Sequence, residues 1–326
     1  MKIELLIDDK QGNVFNISDL VEEITWKTKR KDSPGTLEVT LLEDKQVTIS
    51  NGNVLRFKVN NCNVFYGYVF KNSGDSGPEI QITAYDQLKY LMYNDVYVGV
   101  NKKASEIIKE ILTNLELSIG EIEDTGYKIP TIQEDDKKYL DVIYSALAKT
   151  VIANTKTFVL YDNFGKINLK DINNMKQELI ISDDSNLGDY DWENSIEDSY
   201  NRIKYVRDNE DTKGRDVYIA QDSENISKWG RLQLFKKIDD NLNKAQIEEM
   251  VNCSLELYNK EKKTLKLKDV VGCETALDVK LIGGAGVYVY IKKKYISQWY
   301  LIEEATHKFS KNEHTMDFEL KVVWLW

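Results

Sequence analysis

The sequence predicts an α+β, multidomain fold: two β-barrel regions, an α/β domain between them, and a small helical insertion in the second barrel. Three observations predict it. Residues 2 to 84 alternate apolar and polar, with turn signals at the roughly 8–12-residue spacing of short strands. A helical period of about 3.6 residues takes over past Asp95. Strand patterns return from Leu179 and are interrupted only near 222–262.

A chain of 326 residues implies two to four domains, each of roughly 80–150 residues. With 42% hydrophobic and 30% charged residues it has an ordinary globular composition and enough apolar side chains for a sizeable core. Acids outnumber bases 54 to 44, and the net charge of −10 disfavours sequence-independent duplex binding, which needs a basic face for phosphates. DNA passing nearby is compatible with it, since a repelling wall favours passage. Glu4 and Asp8–Asp9 interrupt the first apolar run, so no secretion signal is expected. No run reaches the roughly 20 apolar residues of a membrane helix. Cys62, Cys253 and Cys273 form an odd set at spacings unlike a metal site. They are expected to be buried or indifferent thiols in a reducing compartment.

The elements follow in order. Ile3, Leu5 and Ile7 share one strand face, and Ile24 and Trp26 open a second strand that breaks at Ser33-Pro34-Gly35. Leu37, Val39 and Leu41 give a return strand, followed by Leu55, Phe57 and Val59, then Val64, Tyr66 and Tyr68. Ile80, Ile82 and Ala84 close this first region. At Asp86 the period changes: its carboxylate is expected to cap a short helix carrying Leu88, Leu91 and Met92. Tyr85 and Tyr90 are expected to pack back on the first region.

Asn101 is the expected cap of a strong helix with Ala104, Ile107, Ile108, Ile111, Leu112 and Leu115 on one stripe. An extended link holds Pro130. A second helix is expected from Asp135–Asp136 with Leu140, Ile143, Leu147 and Val151 inward, then a hairpin around Asn163-Phe164-Gly165. In the second β region, Asn201–Arg207 and Arg215–Ala220 form a hairpin, and a short helix ends near Trp229-Gly230. A helix follows Asn243, and strands are expected at Leu265–Leu267, Ala276–Leu281, Val287–Ile291, Trp299–Phe309 and Thr315–Trp326. The expected boundaries are 1–95, 96–172, 173–221 with 263–326, and 222–262 for the insertion.

Chemistry-bearing patterns are weak. Gly283-Gly284-Ala285-Gly286 has the composition of a phosphate loop, but a strand follows where a helix is needed, so a hairpin turn is expected. Asp208 to Asp216 has calcium-loop composition with Gly214 one position late and no closing Glu; a solvated loop is expected. His307 and His314 make no zinc motif and are read as edge-strand residues. Asp135–Asp136, Asp183–Asp184 and Asp239–Asp240 precede helices or turns and are read as caps and solvated groups. No catalytic, cofactor-binding or metal residue is assigned. The last strand stands apart. Met316, Phe318, Leu320, Val322, Trp324 and Trp326 form one apolar face, and Val323 and Leu325 make the other face apolar at its end. Val323, Trp324, Leu325 and Trp326 are therefore a candidate interchain contact.

Several stretches together resemble a known family. They are GYVFKNSG (67–74), TAYDQLKYLMYND (83–95), ASEIIKEIL (104–112), DTGYKIPT (124–131), LDVIYSALAKT (140–150) and FVLYDNFGKINLKD (158–171). SYNRIKYVRDNE (199–210), SKWGRLQLF (227–235) and EATHKFSKNEHTMDFELKVV (304–323) add to them less tightly. They are similar to the central baseplate hub protein of contractile phage tails, more narrowly to the hub of PBSX-like prophages and R-type bacteriocins, the XkdQ type. The resemblance spans nearly the whole chain in one order.

That resemblance implies a homotrimer whose two tail-tube-like β-barrels per subunit form a pseudo-sixfold ring. The ring would adapt a sixfold tail tube to a threefold puncturing spike. The implied partners are further copies of itself, the spike protein, a tail tube or tube-initiator protein and baseplate wedge proteins, with no specific nucleic acid and no membrane insertion. The implied location is a phage or bacteriocin tail baseplate assembled in the bacterial host cytoplasm. Because the chain stops after its second β region, no fused lytic domain is expected. Two other readings compete: a tail-associated cell-wall hydrolase using carboxylates brought together by folding, and a β-rich glycan-binding module suggested by 19 tyrosines and 6 tryptophans.

Overall fold

Alternating apolar residues place most of this chain's strands in a single sheet. The computed structural model describes residues 1–44, 46–209, 213–238, 242–272, 275–310 and 313–322. Cys273, Asp239–Asp240 and the candidate contact Val323, Trp324, Leu325 and Trp326 lie outside the described residues. The first region holds β1 (Ile3–Asp8), β2 (Val14–Asn16), β3 (Val21–Lys29), β4 (Thr36–Leu42), β5 (Val54–Val59), β6 (Cys62–Gly74) and β7 (Glu79–Tyr85). They hydrogen-bond in the order β3-β4-β7-β6-β5-β1-β2. Leu5, Ile7, Ile24, Leu37, Val39, Leu55 and Phe57 form the core, on the faces their alternation predicts.

β6 departs from that prediction. Its register slips where Phe57 faces Phe65 but Lys58 faces Asn63, so Val64 is an extra residue. A bulge of one residue reverses which side chains face inward. Phe65 and Val69 are buried, while Tyr66 and Tyr68 lie half-buried on the outside. There Tyr66 meets Phe164 at 5.7 Å and Tyr68 meets Tyr90 at 5.8 Å between ring centroids. The outer tyrosines thus join the first region to the next one.

The middle region starts with a 3₁₀ turn at Gln87–Met92. It continues through β8 (Asn94–Lys103), α1 (Ala104–Asn114), β9 (Ile119–Ile122), β10 (Lys128–Lys138), α2 (Tyr139–Asn154), β11 (Phe158–Asn163) and β12 (Lys166–Asp171). Ala104, Ile107, Ile108, Ile111 and Leu112 form the predicted stripe and are buried. The caps differ from expectation. Lys103, not Asn101, precedes α1, with Glu106 accepting from its backbone N–H; Asn101 sits inside β8. Asp135–Asp136 belong to β10, where a bulge between Glu134 and Lys137 delays α2 to Tyr139. Gly165, at φ +87°, turns the β11–β12 hairpin, and any Cβ there would lie 2.7 Å from the Tyr66 ring.

The second region comprises β13 (Lys176–Ser182) and β14 (Asp189–Ser195). An insertion then carries β15 (Arg202–Asn209), β16 (Gly214–Gln221), α3 (Ser223–Trp229), β17 (Gln233–Lys237) and α4 (Lys244–Tyr258). The sheet resumes with β18 (Lys262–Val271), β19 (Gly286–Ile291), β20 (Ile296–Ser310) and β21 (Glu313–Lys321). Chain exit and return are adjacent, because Ser195 on β14 faces Lys262 on β18. The insertion is therefore larger than the expected 222–262. The hairpin expected in the second barrel pairs with β17 instead, under α4, whose Ile247 and Val251 pack on Ile203 and Tyr205. Asn243 caps α4 through Gln246 in both directions.

The two β regions are continuous. β20 pairs antiparallel with β3, giving one sheet in the order β14-β18-β21-β20-β3-β4-β7-β6-β5-β1-β2, with β19 and β13 branching from β20. Among the described residues no pairing closes either region into a barrel. Two further strand readings are corrected. Ala276–Leu281 contains a 3₁₀ turn at Asp278–Lys280 in place of a strand. Gly283-Gly284 is not a hairpin turn. It is a close crossing in which Gly283 donates to Thr28 Oγ1 at 2.9 Å and Gly284, at φ +97°, lies against Val159. A Cβ on Gly283 would fall 2.4 Å from the Lys29 carbonyl carbon, which is backbone and has no rotamer to move. We expect Gly283→Ala to lower the unfolding free energy by roughly 1–3 kcal/mol, the range for overpacking, in urea titration. A change within about 0.5 kcal/mol, typical of a surface site, would count against the crossing.

Candidate functional site

The residues that most depart from a plain core lie along the β3–β20 seam and beside it. Along the seam His307 faces Trp26 and Phe309 faces Ile24. His307 is fully buried and His314 nearly so, which overturns the expectation of edge positions for both. The β20–β21 hairpin brings them together: His307 Nδ1 and His314 Nε2 are 3.0 Å apart, and His307 Nε2 lies 3.0 Å from the Leu281 carbonyl. A carbonyl only accepts, so His307 Nε2 carries a hydrogen and its neutral ring accepts at Nδ1 from His314 Nε2–H. Aromatic rings enclose the pair, with Phe309 stacked on His314 at 4.3 Å and Trp26 tilted on His307 at 4.9 Å.

Burial pushes His307 down to about 3, helped by the neighbouring His314 and opposed by the bond to Leu281. Burial likewise pushes His314 down to about 4, against the pull of the Asp278 carboxylate. Asp278 is itself buried and holds the Thr275 N–H with Oδ2 at 2.9 Å; its Oδ1 has no hydrogen-bond partner among the described residues. The loop that carries Asp278 and Leu281 thus opposes, without cancelling, the effect of burial on the histidine pair.

A carboxyl pair lies where the first and middle regions meet. Asp86 accepts from Leu88 N–H at 3.0 Å, as a cap does, and also from Gly35 N–H at 2.8 Å across the fold. The second bond was not legible in the sequence, because it joins residues 51 positions apart. Burial raises Asp86 well above the carboxylate range, and the Asp162 charge adds to the shift. Asp162 accepts from Gly165 N–H at 2.7 Å, and burial pushes it up to about 7. Asp162 is half-buried as a residue, but its Oδ2 is sealed without a partner. Both acids line a cavity of about 30 Å³ with Thr28, Gly35 and Gly283. That is room for a water molecule or two and none for a sugar.

Other sequence candidates are spent on ordinary pairs. Asp208 binds Arg215 and Lys237, and Asp216 binds Arg207 at 2.8 Å, so these acids hold basic side chains. Among the described residues no group of three or more His, Cys, Asp or Glu is arranged to hold a metal. No helix among them is long and apolar enough to cross a membrane. The features with geometry are therefore the buried joints between regions.

Residues 24–321 match the profile of the YQBQ-like family. The chain belongs to that family. It is 29% identical over 311 residues to YqbQ of Bacillus subtilis strain 168, covering 92% of both chains. It is 26% identical over 309 residues to the phage-like element PBSX protein XkdQ of the same strain, again covering 92% of both. In structure it resembles the 43 kDa tail protein of prophage MuSo2 from Shewanella oneidensis, with TM-score 0.70, 13% identity, and coverage of 97% and 98% of the two chains. At that identity the likeness speaks for the fold, and it extends across all three regions and the insertion.

The two buried pairs pull stability in opposite directions with pH. Histidines held neutral contribute fully above their ordinary value of 6.5, and the contribution is lost as pH falls through about 4 and about 3. Carboxyls with raised values contribute fully below 3.8, and the contribution is lost as pH rises through about 7 at Asp162. Asp162→Asn removes one ionisation at the second joint. We expect its unfolding free energy, measured against wild type by urea titration, to improve from about pH 5 to about pH 8. A difference independent of pH would refute the buried-carboxyl assignment.

Proposed function

We propose that this protein is the structural hub of a contractile injection-tail baseplate, a homotrimer that adapts a sixfold tail tube to a threefold spike. The observation that carries the reading is the single sheet running through both β regions across β3 and β20. One chain so built presents two sheet units at a fixed relation. Three such chains present six, which is the arithmetic of a threefold-to-sixfold adaptor. Each unit would serve as a tube-like barrel wall, closed by its neighbours in the ring.

Other features support it. The sheet ends in β14 on one side and β2 on the other, and Trp192 and Val14 on these strands are half exposed. Unpaired strand edges of this kind invite pairing with another chain. Membership in the YQBQ-like family, similarity to a phage-like element protein, and a fold shared with a prophage tail protein point the same way. The partners in this reading are two further copies, the spike, a tube or tube-initiator protein and wedge proteins. The location is the baseplate of a phage or bacteriocin particle, assembled in the host cytoplasm. No catalytic role is part of it, and the sealed Asp86–Asp162 pair offers a hydrolase no cleft.

Light scattering on the purified protein at micromolar concentration tests the reading. The expected mass is three times the 37.8 kDa of the chain, with no clearing of peptidoglycan suspensions. A stable monomer that clears peptidoglycan would sink the hub assignment.

A further inference from the structure

A cleft of about 660 Å³ lies where the middle region, the insertion and the second sheet meet. One wall is α2. Its Leu140, Ile143 and Ala146 face the middle core, yet Tyr144, Leu147, Ala148, Val151 and Ile152 line the cleft. Those five recur at the spacing of one helical stripe. The helix is thus apolar on two faces: Tyr144 and Leu147 also touch the middle core, while Ala148, Val151 and Ile152 are left partly uncovered toward the cleft. Leu257 of α4 and Leu301 of β20 make the opposite sides, while Lys260, Glu261, Lys262 and Glu303 rim it. An apolar wall with a charged rim is the surface of a site that takes an apolar chain segment.

The chain itself leads there. β21 buries Met316, Phe318 and Leu320 in turn, and Val322 continues that face, buried, with its N–H bonded to the Lys263 carbonyl at 3.2 Å. Val322 and Lys321 both line the cleft. The next four residues are Val323, Trp324, Leu325 and Trp326, all apolar. Four residues reach at most about 14 Å, and Val322 already stands in the wall of the same cleft as the α2 stripe. Two tryptophans bring roughly 150–250 Å² of buriable surface each. Tethering adds an effective concentration on the order of mM, so a modest apolar contact is enough to hold the segment.

We infer that Val323–Trp326 docks in this cleft of its own chain, with its tryptophans against the α2 stripe. The segment would then lock the insertion, the middle region and the second sheet to one another. This occupant replaces the interchain contact read from the sequence, and it holds whether the protein is a monomer or a trimer.

The test is disulfide trapping in the full chain. Cys62, Cys253 and Cys273 are changed to Ala, and Ile152→Cys is combined with Trp326→Cys. Mild oxidation should convert most of the protein to a cross-linked single chain, which runs faster than the reduced form on a denaturing gel. The control pair Val14→Cys with Trp326→Cys, at the far end of the sheet, should give less than a tenth of that yield. A cross-link between chains would overturn the inference and assign the segment to a neighbouring copy. Absence of any cross-link, with circular dichroism unchanged and both thiols titratable after unfolding, would overturn it outright.

Discussion

The pairing of β3 with β20 is the constraint on which the rest of the structure depends. It joins residues nearly three hundred positions apart, Lys29 facing Glu304 and Glu23 facing Ser310. Closing so long a loop is entropically costly, although the cost grows only slowly with length. What offsets it is concentrated at the seam: backbone hydrogen bonds, the Trp26–His307 and Phe57–Phe309 ring contacts, and the Lys29–Glu304 and Arg30–Glu303 ion pairs. The ion pairs lie near the surface and add little; the aromatic burial carries the joint. With β3 held by β20, the two β regions border each other along seven paired positions, from Glu304–Lys29 to Ser310–Glu23.

Side chains that look dispensable in isolation are explained by this seam. The two histidines fill the centre of the joint with rings that also hydrogen-bond, which a pair of leucines could not do. Gly283 is glycine because the loop before β19 touches β3 backbone. Its neighbour Gly284 admits Val159, so the middle region also leans on the seam, where Val159, Ile172, Met175 and Leu301 form a small core of their own. Asp86 does for the first and middle regions what the histidines do for the two sheets. It accepts one N–H from its own turn and one from Gly35, so losing it would free two buried donors where a simple cap would free one.

Local patterns in the sequence were reliable where packing obeyed them. Leu5 and Ile7, Leu37 to Leu41, and the Ile107–Leu112 stripe are buried as their periods require. The failures share a cause: each was decided by something distant. The bulge at Val64 turned Tyr66 and Tyr68 outward because β5 and the β11–β12 hairpin needed them there. The Asp135–Asp136 doublet looks like a helix start but forms the bulge of β10 against β8, where Asp136 accepts from the Asn94 side chain. The hairpin at Arg202–Gln221 went to the insertion because its third strand, β17, appears only later in the chain. His307 and His314 read as edge residues since nothing in their local pattern reveals that β3 covers them. Of the buried joints, only the Leu88 bond of Asp86 was legible in advance.

Apolar stripes also remain on surfaces that the described elements leave uncovered. β8 shows Val96, Val98 and Val100 on its outer face, each more than half exposed, on a ribbon of only two strands. Such a ribbon is marginal unless something packs on it, and α1 and α2 cover only the Tyr97 side. The insertion repeats the theme: Val217, Ile219 and Phe235 lie outward on its three-stranded sheet, opposite the face that α4 covers. A protein under selection only to stay soluble replaces valines in such stripes with charged residues. Here 30% of the residues are charged, yet these stripes are left apolar. They lie on elements outside the main sheet, so an assembly that joins the sheet edges would still leave them to be covered by other contacts. In the proposed reading, a baseplate hub that meets several different neighbours at once would supply those contacts.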